Sequence, residues 1–254
     1  MPLAIRDLSL RFGGLTALNR VSLDADDGEL LALVGPNGAG KTALLNCING
    51  VYRPSAGRIV LDGRDITHVP VDKIALAHVG RAFQHAELFP HMTVTENLLI
   101  GRHLLMRSGL FAGAFYFGRA RREEAEQRRH VERIIDFFEL YRYRDAPAGS
   151  LPYGVQKLVG VARALALEPT LLLLDEPSTG LMREERESFA RFLLRIRHEL
   201  KLTMLWVEHD MQMVSDLADR IVVLSQGEVI ADGPPAQVRT LPEVIKAYLG
   251  ADAV

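Results

Sequence analysis

Apolar residues at Leu3, Ile5, Leu8 and Leu10 are spaced for an extended segment, and Val21 and Leu23 open a second one that an Asp26-Asp27-Gly28 turn closes. Residues 30–34 (Leu-Leu-Ala-Leu-Val) have no polar side, the pattern of a parallel strand buried on both faces. A glycine-rich turn follows, then a helical stretch over 41–49 that Gly50 stops. Residues 57–66 read as a strand pair turning at Asp62-Gly63. From about Leu88 to Ala166 the period becomes helical. Thr95 is placed as the cap of a helix running through Leu98, Leu99 and Leu104, and 119–139 is amphipathic through Val131, Ile134, Ile135 and Phe138. After Pro169 strands and helices alternate again. The pattern predicts strands over 171–174, 203–207 and 221–224, helices around 184–198 and 211–217, a Gln226-Gly227 turn and a closing helix over 242–248. No internal repeat or low-complexity segment interrupts this order, which predicts an α/β core with a helical insert.

Composition narrows the function. The 254 residues are 48% apolar and 24% charged, ordinary for a globular chain. Thirty Lys plus Arg against 32 Asp plus Glu leave a net charge of −2, which removes the electrostatic case for a general nucleic-acid binder. A single cysteine, Cys47, excludes an internal disulfide framework and fits a reducing compartment. The first residues lack the layout of a signal peptide, and no apolar run approaches the roughly 18 residues of a membrane span, so a soluble intracellular chain is expected. The eight histidines show no metal-binding spacing.

The chemistry sits on two segments. Gly35-Pro36-Asn37-Gly38-Ala39-Gly40-Lys41-Thr42 matches G-x-x-x-x-G-K-[ST] between a buried strand and a helix. Glycines let backbone N–H groups converge on phosphate oxygens, and the helix N-terminus adds partial positive charge at the same point. Lys41 is then placed to reach the terminal phosphates, and the Thr42 hydroxyl to ligate Mg²⁺. The second segment is four leucines, 171–174, followed by Asp175-Glu176, which puts two carboxylates at the carboxyl end of a buried strand, where open α/β sheets bind ligands. Asp175 suits the Mg²⁺ shell and Glu176 a general base that activates water. No N-K-x-D tetrapeptide for reading guanine occurs, and a base at this place favours hydrolysis over transfer.

At these residues the chain resembles the ATP-binding cassette (ABC) family of transport ATPases, over essentially its whole length. Gln84, in Arg81-Ala82-Phe83-Gln84, resembles the family's Q-loop glutamine, which touches Mg²⁺ and water. His209, in Val207-Glu208-His209-Asp210, resembles the switch histidine at the γ-phosphate, and Phe12 takes the place of the aromatic that stacks on adenine. Leu151-Pro152-Tyr153-Gly154-Val155-Gln156-Lys157 takes the place of the L-S-G-G-Q signature. The resemblance implies a P-loop core of ABC ATPase type with an N-terminal antiparallel β region and an inserted helical subdomain. It implies one domain over 1–254, divided into a core (1–87 and 167–254) and a helical, signature-bearing part (88–166).

The implied cofactors are ATP and Mg²⁺. Phe12, Gly35 to Thr42 and Ala43 would cradle the nucleotide, with Pro152, Tyr153 and Gly154 meeting the ATP of a second subunit. Thr42, Gln84 and Asp175 would hold the metal, and Glu176, His209, Gln84 and Lys41 would carry catalysis. The implied partners are a second ATPase subunit in a homo- or heterodimer, transmembrane permease chains and, indirectly, a substrate-binding protein, with no nucleic acid. The implied place is the cytoplasmic face of the inner membrane, as a peripheral subunit. Residues 83–89 (Phe-Gln-His-Ala-Glu-Leu-Phe), Met92-Thr93-Val94-Thr95-Glu96-Asn97, the arm over 101–117 and the ending around Ile245-Lys246-Ala247-Tyr248-Leu249-Gly250 resemble the ATPase subunits of branched-chain amino acid importers. The cargo rests on that likeness alone, and amides, urea and other small carboxylates remain open.

Two segments depart from the family pattern, both on elements that face the partner. Pro152 stands at the signature serine and Val155 at its glutamine, with Gln156 one place later. Pro152 offers neither a hydroxyl nor an N–H, and a bond lost to a charged group costs roughly 1.5–3 kcal/mol; alternatively the proline pre-forms the helix start while Tyr153 and Gly154 make the contact. Met182 stands where Asp or Asn is usual. These departures suggest a heterodimer whose partner supplies the stronger signature, or an ATP-binding regulatory cassette of weak turnover. Residues 108–118, uncharged and aromatic, either pack on a membrane partner or surface or fold back on the insert. The mixed charges of 119–133 read as a solvated helix face, and Cys47, Met204, Trp206 and Val207 as core.

Overall fold

The computed structural model describes residues 2–84, 87–105 and 119–249. The aromatic stretch 108–118, His85 and Ala86 of the Gln84 segment, and Gly250 lie outside the described residues.

Continuous apolar runs become the central strands of a six-stranded sheet ordered β10-β9-β3-β8-β7-β6. The six strands of this sheet are β3 (Leu30–Val34), β6 (Val79–Ala82), β7 (Leu171–Asp175), β8 (Thr203–Val207), β9 (Arg220–Ser225) and β10 (Glu228–Gly233), with β10 and β6 at its edges. All neighbouring pairs are parallel except β9 with β10. Side chains alternate between faces, so a wholly apolar strand feeds two cores. Leu30, Ala32, Val34, Leu172, Leu174, Met204 and Trp206 belong to one, and Leu31, Leu33, Leu171, Leu173, Leu205 and Val207 to the other. The second core is closed by an antiparallel sheet ordered β2-β1-β4-β5, from β1 (Leu3–Phe12), β2 (Leu15–Ala25), β4 (Ala56–Leu61) and β5 (Arg64–Asp65). The helix Lys41–Ile48 lies in the same layer and buries Leu44, Leu45, Cys47 and Ile48. Cys47 is buried in this core, and burial pushes its thiol up to about 12.

The first core continues into the helical segment through Val94, Leu98, Val131, Ile135, Phe138, Val159 and Ala162. Its helices are Val94–Gly101, Arg119–Phe137 and Tyr153–Leu165. Thr93, not Thr95, caps the first of these. Thr93 Oγ1 accepts the Glu96 N–H at 3.1 Å and the Glu96 carboxylate accepts the Thr93 N–H at 2.8 Å, a reciprocal capping box. Thr95 instead donates its hydroxyl to the Arg144 carbonyl, and Leu104 falls in a separate 3₁₀ turn, His103–Leu105. The helix predicted over 184–198 runs from Arg183 to Arg195 and widens into a π-type turn at Ile196–Leu200. Among the described residues no helix is long and apolar enough to cross a membrane.

One buried amide holds the start of this segment. Asn97 Oδ1 accepts the Phe89 N–H at 2.9 Å, while Nδ2 faces the carbonyls of Phe89, Met92 and Thr93 at 2.9–3.3 Å. Asn97→Ala leaves those groups without a partner and is expected to cost about 2–4 kcal/mol. A lowered denaturant midpoint at unchanged slope checks this.

Candidate functional site

The phosphate-loop segment turns sharply because its glycines permit it. Gly35 has φ +149° and a Cβ there would lie 2.0 Å from the Leu224 carbonyl oxygen; Gly40 has φ +105° and a Cβ would lie 2.7 Å from that of Ala17. The loop therefore threads between β9 and the start of β2. Asn37, Gly38 and Thr42 face solvent, while the Lys41 side chain folds under the loop and donates to the carbonyls of Gly35 (2.6 Å) and Pro36 (3.0 Å). Burial lowers the Lys41 pKa, opposed by the negative charges of Glu176 and Asp175.

β7 delivers both carboxylates. Asp175, its last residue, is buried and takes Nη2 of Arg81 at 2.7 Å. Glu176 follows in a left-handed conformation, φ +46°, which swings the chain off the strand. Its Oε1 meets His209 Nε2, the ring nitrogen that donates to it, and its Oε2 accepts from Gln84 Nε2 at 3.2 Å. Gln84 and His209, on two other loops and singled out separately in the sequence, thus converge on the Glu176 carboxylate.

Neighbouring residues fix these loops, and the sequence reading assigned them no role. Arg81, on β6, bridges Asp175 and Asn46 of the phosphate-loop helix (2.7 Å to Oδ1) and lies over the Phe83 ring. Glu208 is only 2% exposed and accepts the Ser178 hydroxyl at 2.5 Å and the His209 N–H at 2.9 Å. Lys157 donates to the Gln84 carbonyl, tying the helix Tyr153–Leu165 to the Gln84 segment. From the closing helix Pro242–Leu249, the Tyr248 hydroxyl is buried without a hydrogen-bond partner among the described residues, and burial pushes it up to about 12. Buried charged residues next to a motif were the available signal for Arg81 and Glu208.

The remaining sites stand apart from the Glu176 carboxylate. Phe12 is 47% exposed and meets Tyr52 edge-to-face at 5.1 Å, so it is a surface aromatic and not core. Pro152 occupies the N-cap of the helix Tyr153–Leu165 with no side-chain bond, and Tyr153 is exposed while Gly154 is buried. Gln156 turns back to the Leu151 carbonyl at 2.9 Å. Met182 is 78% exposed at the start of Arg183–Arg195.

A buried strand, a glycine-rich loop cradling a lysine and a strand-end Asp-Glu pair at the same carboxyl end of the sheet define a P-loop nucleotide-binding fold. The chain belongs to the ABC transporter family, whose profile matches residues 18–179, and a second profile, described as branched-chain amino acid ATP-binding cassette transporter, matches 228–254. It is therefore an ABC-type, nucleotide-binding ATPase. It is 41% identical over 248 residues to the high-affinity branched-chain amino acid transport ATP-binding protein BraF of Pseudomonas aeruginosa, covering 98% of this chain and 97% of that one. It is 40% identical to the corresponding protein LivG of Salmonella typhimurium, with the same coverage. Among solved structures it resembles a nucleotide-free ABC transporter cassette (TM-score 0.84, 30% identity, 97% of this chain and 98% of that one). It also resembles the ADP conformation of an ABC transporter cassette (TM-score 0.84, 29% identity, 98% of each).

Proposed function

We propose that this chain is the ATP-hydrolysing subunit of a membrane importer for branched-chain amino acids or similar small polar solutes. It would pair with a second cassette and drive separate permease chains from the cytoplasmic face of the inner membrane, with a substrate-binding protein delivering the solute. The observation that carries the reading is the carboxylate of Glu176, held by His209 and Gln84 at the carboxyl end of β7. A module that only bound nucleotide would need no such base.

In this reading the loop from Gly35 to Thr42 and Ala43 cradles the phosphates, Lys41 neutralises the terminal ones and Phe12 stacks on adenine. Glu176 orients the attacking water and draws its proton toward the carboxylate as the water oxygen bonds to the γ-phosphorus and the bond from that phosphorus to the β–γ bridging oxygen breaks, leaving ADP and phosphate. Both oxygens of Glu176 are engaged by protein donors, so a water gains access when His209 turns to the γ-phosphate. Thr42, Asp175 and Gln84 supply hydroxyl, carboxylate and amide oxygens, a hard donor set that suits Mg²⁺. The metal would spread the charge of the phosphates. Pro152, Tyr153 and Gly154 would meet the ATP of the opposite cassette, and residues 88–166 would pass closure from the core (1–87 and 167–254) to the permease.

Cells lacking the chain are expected to lose ATP-driven uptake of radiolabelled leucine, isoleucine and valine. The wild-type chain restores uptake and Glu176→Gln does not. Equal restoration by both overturns the reading.

A further inference from the structure

Two helices of this chain begin beside one carboxylate. Tyr153–Leu165 starts after Pro152 and Arg183–Arg195 after Met182, and neither preceding residue carries the side-chain oxygen that usually caps a helix. Helix starts leave several N–H groups unpaired, and Ser, Thr, Asp or Asn at the cap normally takes one of them. Glu185 serves both starts instead. Its Oε2 accepts the Met182 N–H at 2.9 Å and its Oε1 accepts the Gly154 N–H at 3.2 Å.

The fit depends on the glycine, since a Cβ at Gly154 would lie 2.5 Å from Glu185 Oε1. A second contact runs alongside. The Tyr153 ring covers Gly180, where a Cβ would lie 3.1 Å from Tyr153 Cε1. Charge favours the arrangement, because a carboxylate faces the positive ends of two helices and charge-assisted bonds are the stronger class.

We infer that Glu185 is a positioning residue that locks the helix start at Tyr153 and Gly154 to the segment Ser178–Met182. Ser178 is itself anchored through its hydroxyl on buried Glu208, so the far end of that segment is held independently of Glu185. The two surfaces meant for a second cassette then move as one piece, and the two departures at Pro152 and Met182 share one replacement. The inference rests on the proposed pairing of two cassettes.

The consequence is a defect felt across the pair. Glu185→Ala is expected to bind ATP as a single chain like the wild type and to keep KM within about two-fold, while kcat of the pair falls about ten-fold. Glu185→Gln falls between, because its amide oxygen still accepts one N–H. Opposite a cassette whose own base glutamate is changed to Gln, a Glu185→Ala chain retains one site with an intact base and an intact opposing helix. That pair should reach about half of the wild-type rate. Placing Glu185→Ala and Glu176→Gln on one chain, opposite a wild-type cassette, should leave about a tenth or less.

A purely structural residue would lower both pairs alike, and that result overturns the inference. So does a folded Glu185→Ala pair with unchanged kcat. If the alanine variant does not fold by circular dichroism, Glu185→Gln and Glu185→Asp carry the same comparison. A wild-type chain that pairs with no cassette overturns the pairing reading and this inference together, whereas normal turnover with Glu185 replaced overturns the inference alone.

Discussion

Replacing Glu176 with Gln is expected to lower the rate of ATP hydrolysis by roughly 10²–10⁴ while ATP still binds. The substitution keeps the size of the side chain and one oxygen acceptor, so the left-handed turn at φ +46° and its packing persist. What disappears is the capacity to draw a proton from water. The bond from Gln84 Nε2 can move to the amide oxygen, whereas the contact with His209 Nε2 loses its charge assistance. Loss of rate at constant binding separates a base from a residue that holds the nucleotide, because the latter would raise KM. Single-turnover hydrolysis with equilibrium binding of ATP measures both.

Lys41→Ala is expected to show the opposite split. The ammonium is held under the loop by the Gly35 and Pro36 carbonyls, so it is already positioned where phosphate oxygens arrive. A hydrogen bond to a charged group contributes roughly 1.5–3 kcal/mol, and losing two of them weakens ATP binding by at least about 10²-fold. Burial also makes the wild-type affinity pH-dependent. The Lys41 pKa lies below the ordinary 10.5, so the ammonium is lost, and ATP affinity falls, as pH rises through that lowered value. The linkage to stability has the other sign. Between the lowered folded value and 10.5 the unfolded chain binds more protons, so the contribution of Lys41 to stability rises with pH across that window. Binding calorimetry from neutral to alkaline pH, on the wild type and on Lys41→Ala, checks the affinity: only the wild type should show the alkaline decline.

Much of this site is legible in the sequence because its chemistry is local. A four-residue apolar run ending in Asp-Glu, and a glycine loop ending in Lys-Thr, each specify strand, turn and ligand end within a dozen positions. The cap at Thr93 was equally local, since Thr93 and Glu96 have the spacing of a capping box. What escaped the pattern depends on contacts far along the chain. β6 reads Val-Gly-Arg-Ala, and its polar third residue belongs in a strand only because Asp175 and Asn46 wait for Arg81 inside the protein. β10 reads Glu-Val-Ile-Ala-Asp-Gly, too polar for a central strand, and it lies at the sheet edge paired only with β9. The turn before it uses Gln226 and Gly227 at φ +50° and +80°, a weaker hairpin signal than Asn-Gly.

The departures at Pro152 and Met182 show the same division. Their identity is plain in the sequence, and it suggested a weakened contact with the partner. Geometry adds that a third residue, Glu185, accepts an N–H at both helix starts. Nothing in the local pattern around Glu185 announces that, because one of its partners lies 31 positions away.

The pairing of two cassettes around ATP is tested most directly by the solution mass of Glu176→Gln. Light scattering would be run on that chain, alone and mixed with the second cassette of its transporter, with ATP and with ADP. A mass of two cassettes with ATP and one with ADP, in either sample, is expected. A mass of one chain with ATP bound in both samples would contradict it.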